Sequence, residues 1–208
     1  MARYRGSLCR ICRREGVKLY LKGTKCDMAK CILERRNFAP GQHGKRRKKI
    51  SEYGLQLREK QKLRKMYGIT EKKFELYFKK ASKKKGVTGS ILLQMLETRL
   101  DNVVFRLGLA VGRRAARQIV RHGHIRIHDR RLDIPSYAIK IGDEISINEK
   151  GNGKKNALET LETTSGRPVP EWMVMDKEKI KGKVLRLPER GDISIPIDEH
   201  LIVELYSK

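Results

Sequence analysis

Apolar residues recur at helical spacing through the middle of this chain and alternate like strands only after about residue 124. Leu92, Leu96, Leu100, Val103, Val104 and Leu107 follow one another at three- and four-residue steps. That spacing predicts a helix from Thr88 through Leu96 and another from about Arg99 to Leu107. Ser51 is placed to cap a helix from about Glu52 to Tyr67, which Gly68 stops. Thr70 opens a further helix from Glu71 to about Lys84, carrying Phe74, Leu76, Tyr77 and Phe78 and ended by Gly86. Arg113 to Arg121 reads as a helix with Ala115, Ala116, Ile119 and Val120 toward a core and Gly123 as its C-cap.

The period then changes from helical to alternating. His124 to His128 alternates as a strand, and Asp129–Arg130 makes a turn. Ala138 to Ile141 and Glu144 to Asn148 are expected as two more short strands around Gly142–Asp143. Gly151 to Lys155 is expected as a loop and Asn156 to Thr163 as a helix. Residues 165–197 hold Pro168, Pro170, Pro188 and Pro196 and are expected to be extended or looped, with Trp172 in a core or between domains. The final IDEHLIVELYSK reads as helix or strand; a short helix is favoured, because Asp198 can cap it and Leu201, Ile202 and Leu205 share a face. Ile202 and Leu205 are expected to dock on the first helices. Residues 1–50 show little periodicity and are expected to be irregular.

Charge narrows the function. The 208 residues carry a formal net charge of +25, and its placement is uneven. Residues 1–50 hold 16 Lys and Arg against 3 Asp and Glu, residues 51–86 hold 12 against 4, and residues 87–123 hold 6 against 2. Residues 124–208 balance at 15 and 15. An ion-pair-rich surface would mix both signs, as the last part does. The excess over the first 123 residues calls for a polyanion. No run of about 18 apolar residues offers a membrane span, and no apolar signal segment opens the chain. A cytoplasmic protein with neither a membrane partner nor a small-molecule substrate is expected.

The arginine pattern makes that polyanion a nucleic acid. At about 100° per residue, Arg113, Arg114, Arg117 and Arg121 fall within an arc of roughly 100°. Planar guanidinium forks on one helix face suit a phosphate backbone. His122 and His124 at the end of that helix can touch backbone or stack on bases. Further candidates are Arg3, Arg5, Arg10 and Arg13, the run Lys45, Arg46, Arg47, Lys48 and Lys49, and Tyr53, Lys60 and Arg64 at helical spacing. Lys83 to Lys85 sit at a helix C-terminus, where cations are favoured without any ligand.

Cys9, Cys12, Cys26 and Cys31 are spaced C-x2-C, 13 residues, C-x4-C. Two close pairs can converge on one tetrahedral ion, and a segment with little core would draw folding energy from it. Zn2+ in a closed structural site is the expectation; an iron–sulfur cluster uses the same four thiolates and stays open as the alternative.

With these residues in view, the chain resembles the bacterial small ribosomal subunit protein four family, in its cysteine-containing, metal-binding form. The resemblance covers essentially the whole length. It rests on MARYRGSLCRICRREG at the start, APGQHG at Ala39 to Gly44, LETRLDNVVFRLGLA at Leu96 to Ala110, ARQIVRHGHI at Ala116 to Ile125, and the closing LIVELYSK. It implies a primary binder of small-subunit ribosomal RNA that nucleates assembly of the body of the subunit where several RNA helices meet. It also implies a part in decoding accuracy through ribosomal protein five, beside other small-subunit proteins. Some family members bind their own messenger RNA, which nothing in these residues addresses.

The implied fold is α+β: a mainly helical domain built from N- and C-terminal segments, with an inserted RNA-binding module of two helices and a small, mainly antiparallel sheet. The expected parts are 1–50, a metal-tied, irregular, basic N-terminal segment; 51–97, the first part of the helical domain; 98–160, the module; and 161–208, a C-terminal segment returning to the helices. An RNA-modifying enzyme carrying a similar module would need a catalytic domain. No phosphate-binding glycine loop or nucleophile–base pair is visible, so no enzymatic activity is expected. A DNA regulator of the helix–turn–helix kind would not need three further basic segments outside that motif.

Overall fold

The computed structural model describes residues 4, 6–46, 49–148 and 153–207. The fold is mixed α and β and divides into two compact units, Met1–Leu92 with Ile195–Lys208, and Leu93–Ser194.

The first unit begins with α1 (Leu8–Glu15), a 3-10 turn (Gly23–Cys26) and α2 (Ile32–Arg35). The N-terminal segment is thus not irregular throughout. The helices are one to two turns long, and α1 anchors on a single buried residue, Ile11, so no apolar period is long enough to register in the sequence. Gly16 ends α1 at φ +68°, in the left-handed region that glycine enters without strain. Then come α3 (Glu52–Met66) and α4 (Glu71–Ser82), close to the expected bounds. Ser51 Oγ accepts the Gly54 N–H at 3.2 Å, a working N-cap. Helix α5 (Thr88–Glu97) spans the division between the units.

The second unit holds α6 (Leu100–Arg106) and α7 (Arg113–Arg121), followed by β1 (Ile125–Ile127), β2 (Arg130–Arg131), β3 (Glu144–Ile147), α8 (Gly153–Thr163), β4 (Met173–Asp176) and β5 (Lys181–Val184). Among the described residues the strands form one antiparallel sheet in the order β2-β1-β3-β5-β4. Ile125, Ile127, Ile145, Ile147 and Val184 face a single core with Leu100, Val103, Val104, Ala116, Val120 and Trp172.

Three expectations change here. Ala138 to Ile141 is not a strand: Ala138 forms only an isolated bridge with Arg99. The flanking backbone bonds go to the start of α6, with Leu100 N–H donating to the Tyr137 carbonyl and Ile139 N–H to the Thr98 carbonyl, both at 2.9 Å. Residues 165–197, expected to be extended or looped, are extended as strands in β4 and β5, and the C-terminal segment expected from residue 161 divides differently. That hairpin joins the sheet through pairing of β5 with β3, so residues 161–194 build the second unit and only Ile195–Lys208 lies in the first. Of the loop expected at Gly151 to Lys155, residues 151–152 lie outside the described residues, and Gly153 already begins α8.

Helix α9 (Glu199–Tyr206) closes the first unit as the sequence pattern predicted. Asp198 caps it by accepting the His200 N–H at 3.0 Å. Gln56 of α3 donates to Glu204 at 3.0 Å, and Tyr206 stacks on Phe78 of α4 at 4.3 Å between ring centroids. Gly89 of α5 faces Glu199 so closely that a Cβ would stand 2.8 Å from its Cγ.

Candidate nucleic-acid interface

Helix α7 buries Ala116 and Val120. On a helical wheel these lie about 60° and 20° from Arg113. Arg113 and Arg117 therefore border the buried stripe, with side chains 14% and 18% exposed. Arg114 and Arg121 lie on the outer edge and are exposed, as is His122. His124 is half-buried, its ring 6.1 Å from that of His122. The four-arginine arc thus consists of two arginines turned toward the protein and two toward solvent.

Two buried carboxylates explain the inward pair. Glu97, 1% exposed as a side chain, accepts from Asn102 at 2.7 Å and from Arg106 at 3.0 and 2.8 Å, and lies 4.0 Å from Arg113. Arg113 also donates to Asn102 Oδ1 at 2.8 Å. Asp101 accepts both prongs of the buried Arg99 at 3.0 and 2.6 Å and pairs with Arg117 at 3.3 Å. Phe105 lies between two guanidinium groups, those of Arg113 at 4.5 Å and Arg167 at 4.3 Å. Buried ion pairs gain little net stability but are costly to break, so this network fixes where α6 and α7 sit. The sequence reading missed it. Its trace was the co-occurrence of Glu97, Arg99, Asp101, Asn102 and Arg106 in a segment otherwise apolar on all sides.

In the first unit Arg10, Lys45, Arg46 and Lys49 are exposed, and Tyr53 is 57% exposed. Arg13 is turned inward: its Nε donates to the Phe38 carbonyl at 2.9 Å and its guanidinium covers the Phe38 ring at 4.9 Å. It thereby holds the turn that runs into APGQHG, in which Gly44 sits so close to the Ala39 carbonyl that no side chain fits. Lys60 pairs with Glu71 at 2.5 Å, and Arg64 pairs with the other oxygen of Glu71 at 3.2 Å. Burial pushes the Glu71 carboxyl upward, but the Lys60 hydrogen bond and the charges of Lys60 and Arg64 hold it below its ordinary range. Lys60 and Arg64 therefore brace α3 against α4. Arg3, Arg5, Arg47 and Lys48 lie outside the described residues.

Cys26 is buried, and Cys9, Cys12 and Cys31 are half-buried. The Cys12 thiol is pushed up, chiefly by burial, against a lowering hydrogen bond from the Leu19 backbone, with smaller upward contributions from Cys26, Cys9 and Cys31. The Lys22 N–H donates to Cys26 Sγ at 3.4 Å, as backbone amides do around thiolate sites. Four thiols are the donor types a structural zinc takes, but their spacing in the fold does not gather them. Among the described residues no three Cys, His, Asp or Glu side chains are gathered closely enough to hold an ion. No helix among them is long and apolar enough to cross a membrane.

Comparison with known proteins follows the same division of the chain. Residues 3–97 match the family described as the ribosomal protein S4/S9 N-terminal domain, and residues 98–145 match the S4 domain. The chain is 59% identical over 208 residues to the small ribosomal subunit protein uS4 of Acetivibrio thermocellus, and 56% identical over 209 residues to that of Thermus thermophilus. Both similarities cover 100% of this chain and 100% of the relative.

Proposed function

This chain belongs to the small ribosomal subunit protein uS4 family, and from that membership we propose that it binds small-subunit ribosomal RNA directly and nucleates assembly of the body of the subunit. It is a structural constituent of the ribosome, not an enzyme, and its place is the cytoplasm as part of that particle. The observation that carries the reading is the identity to uS4 proteins over the full length of both chains. The charge excess in the first 123 residues is the physical counterpart of that identity.

In this reading the solvent-facing cations make the phosphate contacts: Arg10, Lys45, Arg46, Lys49, Arg114 and Arg121, with Arg3, Arg5, Arg47 and Lys48 completing the basic segments. Tyr53 offers a stacking surface, and His122 and His124 flank the end of α7. Arg13, Lys60, Arg64, Arg113 and Arg117 serve the interface chiefly by holding their elements in place. A contact with ribosomal protein five that bears on decoding accuracy, and binding of the protein's own messenger, belong to the same reading and rest on the family alone.

The four cysteines would hold a structural zinc, which supplies cross-linking energy to a segment with few buried apolar residues. The completeness of the four-cysteine set and its C-x2-C and C-x4-C spacing support it.

Footprinting of the isolated, metal-loaded protein on small-subunit ribosomal RNA tests the main claim. Protection concentrated at one multi-helix junction is the expected result. Diffuse protection that disappears at moderate salt would refute a specific primary site.

A further inference from the structure

Most arginines of the second unit have partners, and Arg167 and Arg190 donate to backbone carbonyls. Arg99, Arg106, Arg113, Arg117 and Arg186 each have a carboxylate partner. Among the described residues Arg121, Arg126, Arg130 and Arg131 have none. Three of these four lie on β1 and β2, inside the expected module but not among the residues expected to contact RNA.

The register shows how they are arranged. Ile125 and Ile127 point into the core, so Arg126 points outward. Arg131 is its cross-strand partner on β2, and Ser146 its partner on β3; Ser146 in turn pairs with Lys181 on β5. Directly opposite residues on paired strands share a face. Arg131, Arg126, Ser146 and Lys181 thus form one row across four strands, which stand about 4.8 Å apart. The next row is neutralised, since Lys183 lies 3.6 Å from Glu144. The first row meets a carboxylate only at its far end, Asp176 on β4, which already accepts the backbone N–H groups of Glu178 and Lys179 at 3.1 and 3.0 Å.

Two like charges directly opposite each other on neighbouring strands cost stability. A fold that keeps Arg126 facing Arg131, with no ion pair to either among the described residues, has a use for an anion there. Arg131 also ties the row to α7. Its guanidinium lies over Gly123, where a Cβ would stand 2.1 Å from Nε. The sheet row therefore runs up to the end of α7, beside Arg121 and His122.

We propose that the outward face of the sheet carries a phosphate-binding row, Arg131, Arg126 and Lys181, that extends the RNA contact from α7 across the strands. The proposal rests on the RNA-binding reading above. Its ligand is the sugar–phosphate backbone: the row offers two guanidinium forks and an ammonium with only a serine between them, and no aromatic side chain on which a base could stack.

The test uses the full chain and an in vitro transcript of bacterial small-subunit ribosomal RNA, with affinity measured from 50 to 200 mM KCl. Replacing Arg126→Ala and Arg131→Ala together is expected to weaken binding about tenfold, at about threefold per lost contact, and to flatten the log–log salt slope by roughly 1.4–1.8. Arg131→Lys is expected to keep the slope. The melting temperature of the double variant is expected to hold or rise, because a repulsion is removed. Unchanged affinity and slope in the double variant, with the unmodified chain binding normally, would overturn the row alone. A melting temperature that falls along with affinity would make these arginines structural and overturn it as well. Loss of binding to polyglutamate with RNA binding intact would assign the face to an acidic protein and also overturn it. Failure of the unmodified chain to bind the transcript would defeat the RNA reading itself and the row with it.

Discussion

Asp101 accepts from Arg99 and forms an ion pair with Arg117 within one buried site, and Glu97 accepts from Arg106 and Asn102. Removing either carboxylate strands a guanidinium away from water. Asp101→Ala is therefore expected to lower unfolding free energy by about 3–5 kcal/mol, read by urea denaturation of the full chain. Arg121→Ala, on an exposed edge, is expected to change stability by less than about 0.5 kcal/mol while flattening the salt slope of RNA affinity by roughly 0.7–0.9. Equal effects from the two variants would contradict the division into bracing and contacting arginines. That division was half legible in the sequence. The arc of Arg113, Arg114, Arg117 and Arg121 could be drawn from spacing alone. That Ala116 and Val120 flank Arg113 on the same wheel was equally visible. What spacing could not supply was the partner: Asp101 meets Arg117 because the chain turns back between α6 and α7, a tertiary fact.

At the scale of elements, α9 depends on contacts made far along the chain. Tyr206 lies against Phe74 and Phe78 of α4, and its phenol is pushed up to about 12, chiefly by burial and then by the charges of Glu71 and Glu75. An unfolded tyrosine loses its proton near pH 10. The packed phenol favours the neutral form, so its share of stability is whole below about pH 10 and is lost as pH rises through about 12. Alkaline unfolding of the first unit is expected in that window, and Tyr206→Phe should shift it upward, as followed by circular dichroism against pH. The cap at Asp198 and the face of Leu201, Ile202 and Leu205 made this helix readable in advance. Strands β4 and β5 were not readable. Each has four residues, prolines stand nearby, and β4 pairs with β5, which in turn pairs with β3, more than thirty residues earlier in the chain.

At the scale of the whole molecule, the charge excess of the first 123 residues stands against a balanced remainder, and the fold gives that excess two different uses. Part of it is spent inside, as in the pairs Lys60–Glu71 and Arg58–Glu15. The rest faces solvent and awaits RNA. If zinc ties the four cysteines, chelation is expected to raise the protease sensitivity of residues 6–46 and leave the second unit resistant. Unaltered cleavage of that segment would count against the site. The cysteine spacing was plain in the sequence. The short helices that carry the first pair and follow the second were not, because helices of one or two turns leave little periodic trace.

The way the units share the chain also bears on synthesis. Helix α9 is translated after every residue of the second unit, yet it supplies the surface on which α3 and α4 close. A growing chain can therefore complete the later unit first. The earlier helices must wait for about 14 further residues, Ile195 to Lys208, an interval of about 1–3 s at typical elongation rates. During that interval the most basic part of the protein is exposed with its core unfinished, and the RNA it binds is a polyanion that can hold it in solution.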